Sequence, residues 1–176
     1  MKDLYLISDT HFNHSRVLEF TTTDGKLLRP GFRNVQEMNE LIIYNWNKTV
    51  RPDDIIIHLG DLVMGGFSSL ASIMPRLNGK KILILGNHDY EAADYIPYFG
   101  KVCSMMKLTD FSIPLYLSHC PLNEASLYSD RVGNGLNLHG HIHDLKLDSS
   151  LYCNLCVEHT NYKPIHIEDI ISRKFV

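Results

Sequence analysis

The chain has 176 residues, of which 44% are hydrophobic and 21% are charged, and its formal net charge is −3. This length and composition predict one compact domain over residues 1–176 and exclude repeat and low-complexity proteins. The negative charge disfavours proteins that hold long nucleic acids by phosphate neutralisation alone, and the lack of a leader or of about 18 consecutive apolar residues predicts a cytoplasmic protein without a membrane partner.

The first half of the sequence alternates between strand and helix patterns. Short apolar runs predict strands at 4–7, 54–59 and 82–85, and helical spacing predicts helices at 35–48 and around 70–77. Asn34 followed by Glu37 resembles a capping box at the start of the first helix. Such alternation indicates parallel βαβ units, whose ligands gather beyond the carboxyl ends of the strands.

The second half has fewer helical patterns and favours a second sheet. Its strand-like stretches lie near residues 102–108, 113–118, 136–140 and 152–158. Packing this sheet against the first would bury the apolar runs of both halves. The sequence therefore predicts an α/β fold with two packed mixed β-sheets flanked by helices.

The four cysteines include a single pair with a spacing typical of metal or redox chemistry, Cys153 and Cys156. A zinc site would have to add His159 and a distant cysteine to reach four ligands. The alternative is that these cysteines are buried, reduced thiols on a strand.

Oxygen and imidazole ligands follow the predicted strands in five short blocks. These are Asp9-Thr-His11, Gly60-Asp61, Gly86-Asn87-His88-Asp89, Ser118-His119 and Gly140-His141-Ile-His143. Such ligands suit Mn²⁺, Fe²⁺, Zn²⁺ or Ni²⁺ better than a thiolate site does, and they outnumber the positions around one tetrahedral ion. The blocks therefore predict two metal ions.

In this order, the five blocks resemble the signature of the calcineurin-like metallophosphoesterase superfamily, which they match from residue 9 to residue 143. The resemblance implies a small single-domain member with a four-layer α-β-β-α sandwich. It also implies two divalent ions, with Mn²⁺ preferred and Fe, Zn or Ni as alternatives. The first ion would be held by Asp9, His11, Asp61 and His143, and the second by Asp61, Asn87, His119 and His141.

The resemblance also implies roles in catalysis. Asp61 would bridge the ions, and a hydroxide between them would attack the phosphorus. His88 would face the substrate and protonate the leaving oxygen or stabilise charge, while Asp89 would orient the His88 ring.

Further substrate contacts are predicted near the blocks. Asn13 and His14 are candidates because they follow the first block closely. Arg29 and Arg33 lie in a loop from which a guanidinium could bind a substrate phosphate, although a solvated loop is the alternative. The remaining histidines, at positions 58, 139, 159 and 166, are expected to pack in the core or lie on the surface.

The predicted activity is hydrolysis of a phosphomonoester or phosphodiester, with a small nucleotide or related metabolite as substrate. In so short a chain only loops such as 12–33 and 120–135 remain to select the substrate. The alternatives are a catalytically silent scaffold of the same fold and a nuclease acting on polynucleotides, which the overall charge disfavours. The oligomeric state stays open.

Overall fold

The computed structural model describes residues 3–128 and 134–172. Its strands are β1 (Leu4–Ile7), β2 (Ile55–His58), β3 (Lys80–Ile84), β4 (Lys101–Cys103), β5 (Met105–Leu108), β6 (Leu115–Ser118), β7 (Leu136–His139), β8 (Tyr152–Asn154) and β9 (Ile165–His166). Its α-helices are α1 (Val35–Thr49), α2 (Gly66–Ile73), α3 (Ala92–Tyr95), α4 (Val157–Thr160) and α5 (Ile167–Ile171). Short 3₁₀ turns cover Ser15–Glu19, Met74–Arg76, Ile96–Tyr98 and Glu124–Leu127.

The strands form two mixed sheets. The first has the order β4-β3-β2-β1-β9, in which β9 alone runs antiparallel to its neighbour. The second has the order β5-β6-β7-β8, in which β5 is antiparallel to β6 and the other pairs are parallel. The predicted class, an α/β fold with two mixed sheets flanked by helices, is confirmed.

Side chains of the first sheet alternate between two cores. Ile7 and Ile56 pack in the cluster that contains the apolar face of α1, including Trp46. Their neighbours Leu6 and Ile57 pack in a second cluster with the inner side chains of β6 and β7. This alternation follows from the two-residue period of a strand, and it places the first sheet between a helical layer and the second sheet.

Two predicted strands differ from the structure. The stretch 102–108 is divided at Ser104 into β4 and β5, which belong to different sheets. The stretch 152–158 ends as a strand at Asn154, whose side-chain oxygen accepts a hydrogen bond from the backbone N–H of Cys156 (3.0 Å), and α4 then begins at Val157.

Three further elements, α3, β9 and α5, were not predicted from the sequence. Part of the loop predicted at 120–135, namely residues 129–133, lies outside the described residues. In the part of the chain that the structure covers, no helix is long and apolar enough to cross a membrane.

Candidate functional site

The five predicted blocks converge at one end of the two sheets. The first sheet contributes Asp9 after β1, Asp61 after β2 and Asn87 after β3. The second sheet contributes His119 after β6, and His141 and His143 after β7. A hydrogen bond from the backbone N–H of His141 to the side-chain atom Asp9 Oδ2 (2.9 Å) joins the two groups.

The first group of predicted ligands contains Asp9, His11 and Asp61, and two of its ligand atoms have no hydrogen-bond partner among the described residues. His11 Nε2 lies 3.8 Å from Asp9 Oδ1 and 3.7 Å from Asp61 Oδ2. Both Asp9 Oδ1 and His11 Nε2 are buried and have no hydrogen-bond partner among the described residues. Buried polar atoms are nearly always satisfied, so this pair fits a bound cation.

The second group surrounds His119. Its Nε2 atom lies 3.5 Å from Asp61 Oδ2, 2.9 Å from Asn87 Oδ1 and 3.2 Å from His141 Nδ1. The ring is oriented by its Nδ1–H, which donates to the carbonyl of Leu59 (2.8 Å). Asp61 Oδ2 is therefore shared between the two groups, as a bridging ligand requires.

Each carboxylate has one oxygen held by the protein and another that faces the ligand cluster. Asp9 Oδ2 accepts from the hydroxyl of Ser8 (2.5 Å), the N–H of His141 (2.9 Å) and the thiol of Cys156 (3.2 Å). Asp61 Oδ1 accepts from the N–H of His88 (2.9 Å). These hydrogen bonds fix both carboxylates and leave Asp9 Oδ1 and Asp61 Oδ2 for a metal.

The electrostatics of the cluster keep the Asp61 carboxylate charged and the His11 imidazole neutral. Burial works to raise the pKa of Asp61, but the hydrogen bond and charge of His119 outweigh it and hold that pKa below its usual range. Burial and the charge of Arg29 lower the pKa of His11, which keeps its imidazole in the neutral form that binds metals.

The backbone at the site is unusual. Positive φ angles occur at Asp9 (55°), His11 (49°), Asn13 (64°), Asp61 (56°), His141 (71°) and His143 (48°). Residues other than glycine seldom adopt this conformation, and such residues cluster at functional sites.

Glycines allow the blocks to approach one another closely. A Cβ atom on Gly140 would overlap the side chains of Ser8 and Asp9. Gly60 has φ +97°, and its Cβ would fall against His119 and the backbone of Gly86. The glycines of the sequence blocks are therefore places where no side chain fits.

The role predicted for Asp89 is corrected by its contacts. Its carboxylate accepts from the N–H groups of Asp61 (2.9 Å), Leu62 (3.2 Å) and Gly86 (2.9 Å) and from the hydroxyl of Tyr95 (2.9 Å). By accepting from both, the Asp89 carboxylate joins the loop after β2 to the loop after β3. Asp89 thus fixes the backbone around Asp61 and does not orient the His88 ring.

His88 lies at the rim of the site. Its side chain is 35% exposed, and its Nε2 atom is 3.9 Å from Asp61 Oδ2. The contact to its Nδ1 atom comes from the hydroxyl of Tyr90, at 3.4 Å.

The prediction that Arg29 binds substrate is wrong. Its guanidinium is fully buried and donates to the carbonyls of Asp9 (2.6 Å) and Thr10 (3.1 Å) and to Glu158 Oε1 (2.7 Å). A buried charge needs such partners, so this side chain supports the first block from behind.

The other predicted substrate contacts are distributed differently. The side-chain oxygen of Asn13 accepts a hydrogen bond from the side-chain NH₂ of Asn39 on α1 (2.6 Å), which anchors the loop after β1 to this helix. Arg33 is exposed and forms an ion pair with Glu37. His14 is brought to the site, with its Nδ1 atom 3.3 Å from that of His11 and its ring 6.4 Å from the His88 ring.

Two residues of the site, Glu158 and Cys156, were not predicted to lie there, although Cys156 was considered as half of a possible metal or redox pair. Glu158 Oε1 lies 3.1 Å from His143 Nδ1, and the Cys156 thiol contacts Asp9. The predicted cysteine pair is divided, because Cys153 packs in the core between the sheets. The groups of potential metal ligands found among the described residues do not include Cys153. No short spacing connects residues 156 and 158 to the blocks.

An open groove of about 660 Å³ begins at the cluster. One side is formed by Glu19 at the end of the first 3₁₀ turn and by Phe20 and Leu28 in the loop after it, and the other by Asp144 and Leu145 in the loop after β7. Of the described residues that line it, none is a lysine or arginine. Its volume falls in the range typical of small-molecule sites.

Comparisons with known proteins agree with this geometry. A family model described as calcineurin-like phosphoesterase matches residues 3–172. The uncharacterized protein MJ1445 of Methanocaldococcus jannaschii is 34% identical over 181 residues, which cover 98% of this chain and 91% of that protein. The crystal structure of a protein of unknown function, AQ665 from Aquifex aeolicus, has a TM-score of 0.78 at 25% identity and covers 98% of this chain and 100% of its own.

Proposed function

This chain belongs to the calcineurin-like phosphoesterase family, and from that premise we propose that it hydrolyses phosphate esters with the help of two divalent ions, Mn²⁺ being the preferred ion. The observation that carries the proposal is the position of Asp61 Oδ2, 3.7 Å from His11 Nε2 and 3.5 Å from His119 Nε2. When bound, two such ions lower the pKa of the attacking water and offset the charge of the phosphate.

The ligand assignment follows the two groups around Asp61. Asp9, His11 and His143 join Asp61 at the first ion, where two ligand atoms are otherwise unsatisfied. Asn87, His119 and His141 join Asp61 at the second ion. Nitrogen and oxygen donors of this kind fit Mn²⁺, Fe²⁺ or Zn²⁺.

His88 is proposed as the general acid. Its partly exposed ring lies beside Asp61, where a phosphate bound to the ions would be within reach. The hydroxyl of Tyr90, and not Asp89, is placed to orient the ring through Nδ1. The role of His88 is then to give a proton to the leaving oxygen.

We propose a small nucleotide or a related metabolite as the substrate and the cytoplasm as the location of the enzyme. Phe20 and Leu28 offer an apolar surface in the groove, on which a base or similar group can pack. Glu19 and Asp144 would repel further phosphates, and a polynucleotide needs basic side chains along its backbone. The groove therefore favours a small ester over a nucleic acid.

The test is a substrate screen with purified protein loaded with each candidate metal. The screen covers aryl phosphate monoesters and diesters together with cyclic and linear nucleotides. We expect hydrolysis of at least one of these esters, and we expect a chelator to stop it. The same screen with His88→Ala should show a large loss. A protein that binds metal but hydrolyses none of these esters would favour a scaffold and refute the proposal.

A further inference from the structure

Glu158 is a buried carboxylate outside every sequence block. It lies on α4, and only 6% of its side chain is exposed. Its Oε1 atom is 3.1 Å from Nδ1 of His143, although 15 residues separate the two in sequence. Because a carboxylate can only accept, the proton of this hydrogen bond is on His143 Nδ1.

Arg29 holds this carboxylate in place. Its Nε atom donates to the same Oε1 (2.7 Å), while its terminal nitrogens donate to the carbonyls of Asp9 and Thr10. The guanidinium thus connects the backbone of the first block, which carries Asp9, to the residue that contacts His143. The opposite charges of Arg29 and Glu158 offset each other in a largely buried region.

The hydrogen bond has a consequence for the other ring nitrogen. An imidazole that donates through Nδ1 presents the lone pair of Nε2, and a carboxylate partner fixes both tautomer and ring orientation. The His143 ring stacks on that of His11 with 5.3 Å between centroids, so it already lies beside the first ligand group.

We propose that Glu158 is a positioning residue: with Arg29 behind it, it holds His143 in the tautomer and orientation that bind the first metal ion. This inference rests on the proposed pair of ions. It assigns a function to a residue that follows the last sequence block by 15 positions.

The experiment measures Mn²⁺ binding to metal-free protein by calorimetry and by electron paramagnetic resonance. E158Q keeps the side-chain volume and removes the charge that favours donation from His143. We expect the affinity for one of two ions to fall about 10- to 100-fold, the range found for partners of metal-binding histidines, and the signal of isolated Mn²⁺ to replace that of a coupled pair. E40Q is the matched control, because Glu40 also pairs with an arginine, Arg76, but at the exposed surface.

Two further variants separate positioning from a general effect on folding. E158D keeps a charge for Arg29 but shortens the reach to His143, so it should lose affinity for the same ion while retaining a cooperative melt. In an H143A background, E158Q should cause little additional loss, since the partner is already gone.

Equal weakening of both ions, unchanged binding in a folded E158Q protein, or full additivity with H143A would overturn the inference. Failure of the proposed function looks different, because the wild-type protein itself would then bind no pair of ions or would bind them and hydrolyse no ester, whatever the metal affinity of E158Q.

Discussion

At the scale of single residues, the positive φ angles of the predicted ligands are the most demanding feature of the site. Each such conformation costs an L-residue about 1–2 kcal/mol. Hydrogen bonds from the N–H of Asp9 to the carbonyl of Gly60 and from the N–H of His11 to that of Asp61, both 3.0 Å, offset part of this cost. The loops after β1 and β2 therefore stabilise each other's conformation.

Substitutions at Asp61 and His88 should separate metal binding from turnover. Asp61→Asn removes the charge shared by both ligand groups, so we expect it to lose bound metal. His88→Ala should keep two ions and lower kcat by about 10²- to 10⁴-fold, as the loss of a general acid does. Elemental analysis and steady-state kinetics measure the two effects, and equal metal loss in both variants would contradict the role given to His88.

Gly140→Ala should disable the site without changing any ligand. The added Cβ would overlap Ser8 and Asp9, so the carboxylate of Asp9 would have to move. We expect lower metal occupancy and a lower melting temperature. Gly100→Ala is the control, since its Cβ would meet only the carbonyl of Lys81 at 3.8 Å, and a similar loss in this variant would point to a general effect of alanine.

Phe20→Ala tests the groove. Phe20 packs edge-on against the His14 ring at 5.6 Å and is 38% exposed. If it packs against the base of a nucleotide, its loss should raise KM about two- to tenfold, the usual value of an aromatic contact, with little change in kcat. Phe67→Ala removes another exposed aromatic ring, on α2, and should leave KM unchanged. An identical shift in both variants would rule out this contact.

The site residues that directly follow strands could be predicted from the sequence. The contacts between side chains that are far apart in the chain could not. Asp9, Asp61 and Asn87 follow apolar runs, and parallel strands bring such positions together. Arg29 and Glu158 are 129 positions apart, and no local pattern connects them. The same holds for Asp89, whose donors come from the loop after β2 as well as from its own loop.

At the scale of elements, the segments with a clear hydrophobic pattern were predicted correctly, whereas the shortest strands were not. The helix predicted over 35–48 is α1, and the strands predicted at 4–7, 54–59 and 82–85 match β1 to β3 within a few residues. In contrast, β4 and β9 have three and two residues, and pairing with the rest of the sheet, not their own sequence, determines them.

The start of α1 offers a test of an element boundary. Asn34 Oδ1 accepts from the N–H of Glu37 (3.0 Å), which satisfies one of the free donors of the first turn. Asn34→Ala should lower the free energy of unfolding by about 1 kcal/mol, measured by urea denaturation. Asn34→Asp retains an acceptor and should be close to neutral, and an equal loss in both would show that the cap does not act through this oxygen.

At the scale of the whole molecule, His58 makes stability depend on pH. Burial lowers its pKa to about 3, and its ring lies between Thr10, Gly60 and Trp46. The unfolded chain binds a proton at this histidine below pH of about 6.5, whereas the folded chain does not until about pH 3. The contribution of neutral His58 to the free energy of unfolding is therefore fully present above about pH 6.5, and it is lost as the pH is lowered from about 6.5 to about 3.

The measurement is urea unfolding of metal-free wild-type and His58→Asn proteins between pH 7 and pH 4. At pH 5 the wild type should have lost about 2 kcal/mol more than the variant, relative to pH 7. Parallel curves for the two proteins would show that His58 does not cause the acid sensitivity.

The origin of the ligands in both sheets has a consequence for assembly. Asp9, Asp61 and Asn87 come from one sheet and His119, His141 and His143 from the other, so neither sheet alone offers a complete coordination shell. Ions bound there would cross-link the two sheets at this end, much as a disulfide joins distant segments. Their removal should release that end first, so the metal-free protein should unfold from the ligand-bearing end of the sandwich.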